Sequence, residues 1–283
     1  MTLHDTLSAA RTRLVNAGIR SEEAAIDVEL YARTILDWTR AQIITERTGP
    51  VPQPLEPRFS EWVARREARE PSAYILGVRE FWGLDFHVSP AVLIPRPETE
   101  FLVEAVLGRI EADRPQRIAD IGTGSGNIAV ALAHDRPRWS VIATDVSADA
   151  LIVARLNAVR HGVADRVEFV CAAYLDGVDG PFDLIAANPP YVREGDKRGL
   201  SPAVLHEPDV ALFGGATGLR DIDGVFDAAV AKLAPRGWLV MEFGLGQEDD
   251  VRASAQRRPL RVERVIDDLQ GIPRTAVIQL LGD

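Results

Sequence analysis

The stretch Arg117-Ile118-Ala119-Asp120-Ile121-Gly122-Thr123-Gly124-Ser125-Gly126-Asn127 sets the frame for the whole chain. An apolar run stops at an acid and a glycine-rich turn, and helical periodicity begins on the far side. That pattern is a strand, a tight loop and the first turn of a helix. Glycine accepts the positive φ such a turn needs and lets a ligand approach the backbone. From here the chain alternates. Strands are expected at about 117–121, 141–145, 167–171, 182–187, 237–243, 261–267 and 274–281, with helices at about 126–134, 148–161, 221–233 and 246–257. The alternation predicts an α/β domain whose parallel-rich sheet carries helices on both faces.

In such sheets ligands bind at the carboxyl edge. Asp145 closes the second strand, Val141-Ile142-Ala143-Thr144, at about the distance from the glycine loop where a carboxylate takes a ribose hydroxyl pair. Loop and acid together point to an adenosine-containing cofactor. Gly122, Gly124 and Gly126 are spaced Gly-x-Gly-x-Gly, not the Gly-x-Gly-x-x-Gly of dinucleotide sites. Asp120, just before the loop, is unfavourable beside a pyrophosphate and useful beside an ammonium group. S-adenosylmethionine has an ammonium, a sulfonium and no phosphate. A second role is open to Asp120, bonding the loop backbone, and the two roles can coexist.

Asn188-Pro189-Pro190-Tyr191 follows another buried strand, Phe182-Asp183-Leu184-Ile185-Ala186-Ala187. Consecutive prolines hold φ near −65° and stiffen the loop, so its carbonyls point in fixed directions. The Asn amide donates and accepts, and Tyr adds a flat face with a polar tip. The set suits a planar NH₂-bearing group: the Asn side-chain oxygen and a backbone carbonyl each accept one amide hydrogen, and the Tyr face covers the plane.

The preceding residues read differently. Leu3, Leu7, Ala10, Leu14 and Val15 fall at helical steps. Ser21 is expected to cap a second helix with Ile26, Leu30, Tyr31 and Ile35 on one face. Residues 49–57 break the pattern, and a helix from Arg58 to Glu70 turns Phe59, Trp62 and Val63 inward. A packing or dimerisation module and a platform for a protein partner both fit this helical part. Arg79-Glu80-Phe81-Trp82 and Asp85-Phe86-His87-Val88 flank Gly83-Leu84 as a β-hairpin. Pro95 and Pro97 then stiffen an approach segment, with a helix starting near Thr99 and running from Glu100 to Ile110. Arg96, Glu98 and Glu100 serve helix-start electrostatics or line a site mouth. The expected domains are 1–72 helical, 73–95 a hairpin linker, and 96–283 catalytic.

Composition bounds the partners. The net charge of −10 disfavours a stable sequence-independent grip on nucleic acid. The single cysteine, Cys171, excludes a disulfide framework and is expected buried in its strand. The five histidines lack ligand spacing, so no metal is expected. No signal peptide and no membrane-length apolar run is present, so the chain is expected to be soluble and cytoplasmic.

Taken together, Asp120 to Gly126, Asp145 and Asn188 to Tyr191 resemble class I S-adenosylmethionine-dependent methyltransferases that act on planar nitrogen. With Gly77 to Trp82, Ile94 to Glu100, His206-Glu207-Pro208, Ala211-Leu212, Gly218-Leu219 and Asp268 to Arg274 added, the chain resembles the PrmC/HemK family, the release-factor glutamine methyltransferases. The resemblance covers nearly the whole chain and is weakest over the first seventy residues or so. It implies a small all-helical N-terminal domain, a β-hairpin linker and a Rossmann-like seven-stranded sheet. It implies that the substrate is the glutamine of the Gly-Gly-Gln motif in class I peptide chain release factors. Gly122, Thr123, Gly124, Ser125 and Gly126 would hold the methionine part of the donor, Asp145 the ribose, and Tyr174 would lie by the adenine. Asn188, Pro189, Pro190 and Tyr191 would bind the glutamine amide. A Ser-Asp pair common in the family before Tyr174 is replaced by Ala172-Ala173, which weakens the expected donor contact. The Asn-Pro-Pro-Tyr loop is shared with adenine-N6 methyltransferases. That activity on DNA or RNA, a paralogue with another glutamine-bearing protein target, and a non-catalytic binding module are the alternatives.

Overall fold

The computed structural model describes residues 1–111 and 113–282. The chain divides into two compact units. One is Met1–Gly77 with Ser201–His206; the other is Val78–Leu200 with Glu207 onward.

The first unit is helical: α1 Leu3–Asn16, α2 Ser21–Leu36, α3 Arg40–Glu46, α4 Arg58–Glu67 and α5 Ser72–Leu76. Thr2 and Asp5 close a capping box on α1, each side chain accepting from the other's backbone N–H. Leu3, Leu14, Tyr31, Leu55, Phe59 and Trp62 fill the core. Two expectations are corrected here. Ser21 is the first helical residue rather than the cap, and its hydroxyl accepts from Arg11 Nη2 at 2.7 Å. The buried face of α2 is Ala24, Asp27, Val28, Tyr31 and Ala32, while Ile26 is 66% exposed. An ion pair rotates that helix. Arg66 Nε donates to Asp27 Oδ2 at 2.7 Å, Ser72 Oγ donates to Asp27 Oδ1 at 2.6 Å, and Arg66 also pairs with Glu23. A buried charge keeps its place only when paired, so α2 turns Asp27 inward and Ile26 out.

The second unit opens with a hairpin, β1 Val78–Phe81 and β2 Leu84–His87. Its turn is Trp82-Gly83, one residue earlier than expected. Both residues have positive φ, 56° and 71°, as the tight two-residue turn compatible with strand twist requires. The hairpin is built into the core of this unit. Phe81 and Phe86 pack with Leu102, Val103 and Ile128, each buried ring contributing on the order of 2 kcal/mol. Then follow α6 Glu100–Leu107, β3 Gln116–Ile121, α7 Asn127–Asp135, β4 Trp139–Asp145, α8 Ala148–Arg160, β5 Val167–Cys171, β6 Phe182–Ala187, α9 Asp209–Leu212, α10 Arg220–Lys232, β7 Leu233–Glu242, α11 Glu248–Gln256, β8 Leu260–Asp267 and β9 Pro273–Leu280.

The seven strands β3 to β9 form one sheet in the order β5-β4-β3-β6-β7-β9-β8. All pairs are parallel except β7–β9 and β8–β9. Alternation splits each central strand between two cores. Ile118, Leu184, Ala186 and Val240 face one, and Ala119, Ile185, Ala187, Leu239 and Met241 face the other. Cys171 is exposed rather than buried, because β5 is the edge strand and Cys171 its last residue. Strand order reverses between β3 and β6, so the crevice for a ligand opens where these two strands end. Among the described residues no helix is long and apolar enough to cross a membrane.

Candidate active site

The loop after β3 is held from below. Gly122 and Thr123 both donate their N–H to the Thr144 carbonyl at 2.9 Å, and Gly126 N donates to the Thr123 carbonyl at 2.8 Å. Gly124 N donates to Asp145 Oδ2 at 2.9 Å. These four N–H groups are engaged within the protein, so the loop offers a pyrophosphate few of the donors that a phosphate cradle supplies. A Cβ built on Gly122 or Gly124 would meet no atom within 4 Å, so both face open space. Gly126 has another duty: its φ is +80°, and a Cβ there would lie 3.1 Å from Ala154 Cβ. It lets α7 and α8 approach and is not part of the cavity wall.

Asp120 is fully buried beneath the loop and does not line the cavity above it. Its Oδ2 accepts from Thr123 Oγ1 at 2.6 Å and from Ala129 N at 3.2 Å, while Oδ1 has no partner. Burial pushes its carboxyl up to about 7, against those two hydrogen bonds. These bonds run to the Thr123 side chain and to the first turn of α7, not to the loop backbone as expected, so Asp120 ties the loop to the helix behind it. Asp145 stands in the cavity wall. Each oxygen takes one backbone N–H, from Gly124 and Ser147, leaving lone pairs for hydroxyl donors. Burial raises its pKa, opposed by the N–H groups of Ser147 and Gly124.

Gly122, Thr123, Gly124, Ser125, Asp145, Tyr174, Asn188, Pro189 and Pro190 line a single cavity of about 1030 Å³, open solvent at its mouth included. Tyr174 is pinned there in a positive-φ conformation of 49°, its carbonyl accepting from Thr144 Oγ1 at 2.6 Å. Its hydroxyl donates to Asp221 Oδ1 at 3.0 Å, and burial, with Asp221 beside it, lifts the phenol to about 12. The loop, the Asp145 oxygens and the flat Tyr174 face fit a phosphate-free adenosyl group with hydroxyl donors.

The acceptor loop is clamped from behind. A Cβ on Gly214 would fall 2.4 Å from the Pro190 carbonyl oxygen, and one on Gly218 2.4 Å from that of Tyr191. Only glycine allows this approach. Gln247 Nε2 donates to the Tyr191 carbonyl at 3.1 Å, and Gln247 Oε1 accepts from Gly244 N at 2.8 Å. Asn188 Nδ2 donates to Thr99 Oγ1 at 3.1 Å. Among the described residues no donor reaches the Pro189 carbonyl. Tyr191 does not line the cavity. Its hydroxyl donates to Glu242 Oε1 at 3.1 Å, and its ring packs toward Gly244. The face expected to cover an amide plane is therefore turned to the protein.

The approach segment contributes two polar wall residues. Thr99, expected near a helix start, lines the cavity beside Asn188. Arg96 also lines it, held by buried Glu207, whose Oε1 accepts from Arg96 Nη2 at 2.6 Å and whose Oε2 accepts from Ile94 N at 3.0 Å. Of the charged trio, Glu100 instead accepts from Trp82 N at 2.9 Å. Asn157 ties the hairpin to the donor loop: Nδ2 donates to the His87 carbonyl at 3.0 Å and the Ser125 carbonyl at 2.8 Å. The signal for Glu242 was an acid inside the apolar run Leu239-Val240-Met241-Glu242-Phe243. Among the described residues no group of three or more His, Cys, Asp or Glu side chains is placed to hold a metal.

Known proteins bear on this geometry. Residues 5–77 match the family described as PrmC N-terminal domain, and 97–211 match the methyltransferase small domain. The chain is 41% identical over 277 residues to the release factor glutamine methyltransferase of Bradyrhizobium diazoefficiens, covering 95% of this chain and 93% of that one. It is 39% identical to the enzyme of that name from Koribacter versatilis, covering 98% of each. Among solved structures, a methyltransferase from Pyrococcus furiosus aligns with TM-score 0.53 at 20% identity, over 71% of this chain and 90% of that one. The ribosomal protein L11 methylase of Lactobacillus delbrueckii aligns with TM-score 0.51 at 20% identity, over 66% and 80%. These two share the fold.

Proposed function

The chain belongs to the release factor glutamine methyltransferase family, and on that premise we propose that it methylates the side-chain amide of the glutamine in the Gly-Gly-Gln motif of class I peptide chain release factors. The methyl donor is S-adenosylmethionine. One observation carries the reading: the Asn188–Pro190 loop and the glycine loop with Asp145 line the same cavity. Asp145 takes the ribose hydroxyls, the open side of Gly122 and Gly124 takes the methionine part, and Tyr174 flanks the adenine.

An amide nitrogen is a poor nucleophile, because its lone pair is delocalised into the carbonyl. Asn188 Oδ1 and the Pro189 carbonyl accept the two N–H groups and aim the nitrogen. Both are dipoles directed at the charge that develops on it, the arrangement that lowers such barriers most. Holding the reactants in line contributes several kcal/mol more. Bound there, S-adenosylmethionine would supply an electrophilic methyl for the nitrogen that Asn188 and Pro189 aim, and the amide would give up one proton. Among the described residues the wall carries two carboxylates, Asp145 and Asp221, and both have other partners: the remaining lone pairs of Asp145 take the ribose hydroxyls. Asp145 is engaged by Gly124 and Ser147, and Asp221 by Tyr174 and Arg220. The proton goes to water.

The test offers labelled S-adenosylmethionine with a class I release factor, its Gly-Gly-Gln Gln-to-Ala variant, and duplex DNA. Label on the wild-type factor alone is the expected result. Label on DNA alone would make the loop an adenine grip and overturn the reading, against the net charge of −10 that weighs on the protein side. A release-factor substrate supports a cytoplasmic location beside the translation machinery.

A further inference from the structure

Behind Asn188 lies a chain of hydrogen bonds that the reaction as described does not use. Asn188 Nδ2 donates to Thr99 Oγ1 at 3.1 Å. Thr99 Oγ1 donates to Glu242 Oε2 at 2.7 Å, and Tyr191 OH donates to Glu242 Oε1 at 3.1 Å. Thr99 and Glu242 are each 1% exposed, so water does not compete. They come from segments far apart in sequence, the approach turn before α6 and the end of β7.

The polarity of this chain follows from proton counting. With Glu242 ionised, the form that the Thr99 and Tyr191 hydroxyls and Arg274 favour, its oxygens only accept, so both hydroxyls that touch it donate. Thr99 has one hydroxyl proton and spends it on Glu242. Its oxygen can then only accept from Asn188, so the NH₂ end of that amide must face Thr99. The oxygen end is left to face the acceptor. Burial raises the Tyr191 pKa above its ordinary range, so the phenol stays a donor. Burial also raises that of Glu242, opposed by the Thr99 and Tyr191 hydroxyls and by Arg274.

We propose that Thr99, Glu242 and Tyr191 are positioning residues that set which end of the Asn188 amide is presented to the substrate, and thereby select an NH₂-bearing acceptor over a carboxylate. The inference rests on the glutamine-amide reading of Asn188. An asparagine free to rotate would present its oxygen or its NH₂ to the cavity, and the NH₂ would oppose the substrate amide donor to donor. The relay removes that freedom with groups that never touch the substrate nitrogen. It also gives the loop tyrosine a use that does not require it to cover the amide plane.

The decisive variant is Glu242→Gln. It keeps the shape and replaces one accepting oxygen with a donating NH₂. With Tyr191 still donating to the Gln oxygen, the new NH₂ faces Thr99, whose proton then turns to Asn188 and reverses the amide. Expected are a drop in kcat of about tenfold or more, a donor Kd within about twofold by calorimetry, and a retained melting temperature. A release factor bearing Gly-Gly-Glu should bind wild type less well than the Gly-Gly-Gln form, and E242Q should narrow or invert that preference. A merely structural role would not move the ratio. Wild-type kcat and an unchanged Gln-to-Glu preference in folded E242Q would overturn the relay. If E242Q fails to fold, T99S and T99V carry the same question. T99S keeps the hydroxyl and T99V removes it, so T99V should turn over at least about fivefold more slowly than T99S; equal rates would overturn the relay. Asn188→Ala separates the two claims. Full turnover in N188A refutes the amide reading itself, whereas an inactive N188A beside a fully active E242Q refutes only the relay.

Discussion

Replacing Gly224 with Ala tests how the donor is held. Gly224 lies on α10, where alanine favours the helix by about 1 kcal/mol. Its Cβ, however, would sit 2.1 Å from Tyr174 Cζ and 2.4 Å from the Tyr174 hydroxyl, where ordinary contact begins near 3.4 Å. The ring must retreat by about 1.3 Å, the gap between those distances. Its backbone cannot follow easily, since Tyr174 already holds a φ of 49° and its carbonyl is tied to Thr144 at 2.6 Å. The hydroxyl therefore loses Asp221, a charge-assisted bond of about 1.5–3 kcal/mol. The balance is a net loss of about 0.5–2 kcal/mol, so Tm should fall by a few degrees. Donor affinity should not be spared, because a displaced Tyr174 invades the cavity. S-adenosylmethionine Kd, measured by calorimetry, should rise about tenfold to a hundredfold, or 1.4 to 2.8 kcal/mol. In a Tyr174→Ala background the same substitution should have little effect on Kd, the non-additivity of two groups in contact. An unchanged Kd in G224A would refute the placement of the adenosyl group against Tyr174.

Three more expectations follow from the same geometry. Asn188→Ala should lower turnover about a hundredfold while leaving donor Kd within about twofold, read by label transfer and calorimetry; equal losses in both would remove Asn188 from the acceptor side. Asp120, lifted by burial from 3.8 to about 7, makes the folded chain bind a proton that the unfolded chain has released between those values, so this group makes stability fall as pH rises through that window. Urea unfolding at pH 5 and pH 8 should show Asp120→Asn gaining on wild type at the higher pH, by on the order of a few kcal/mol; a difference that ignores pH would contradict it. Gly126→Ala meets both a φ of +80° and Ala154 Cβ at 3.1 Å, and should lower the unfolding free energy by about 1–3 kcal/mol in urea titration; an unchanged midpoint would contradict that strain.

Much of this protein was settled locally. Parallel strands buried on both faces must be apolar throughout, so β3, β4 and β6 stand out as runs, and the chemistry sits where each run stops. Gly122, Asp145 and Asn188 were legible for that reason. Other features depend on partners far along the chain. Asp27 and Ile26 exchange sides of α2 because Arg66, from α4, needs a buried carboxylate. Cys171 is exposed because β5 has a neighbour on one side only, which its own residues do not record. Tyr191 faces inward because Glu242 waits at the end of β7. Periodicity reads a residue against its near neighbours, and so it finds strands, helices and the loops between them. The direction of the Asn188 amide is set by one hydroxyl proton on Thr99, shared with a carboxylate that only the folded sheet brings within 2.7 Å.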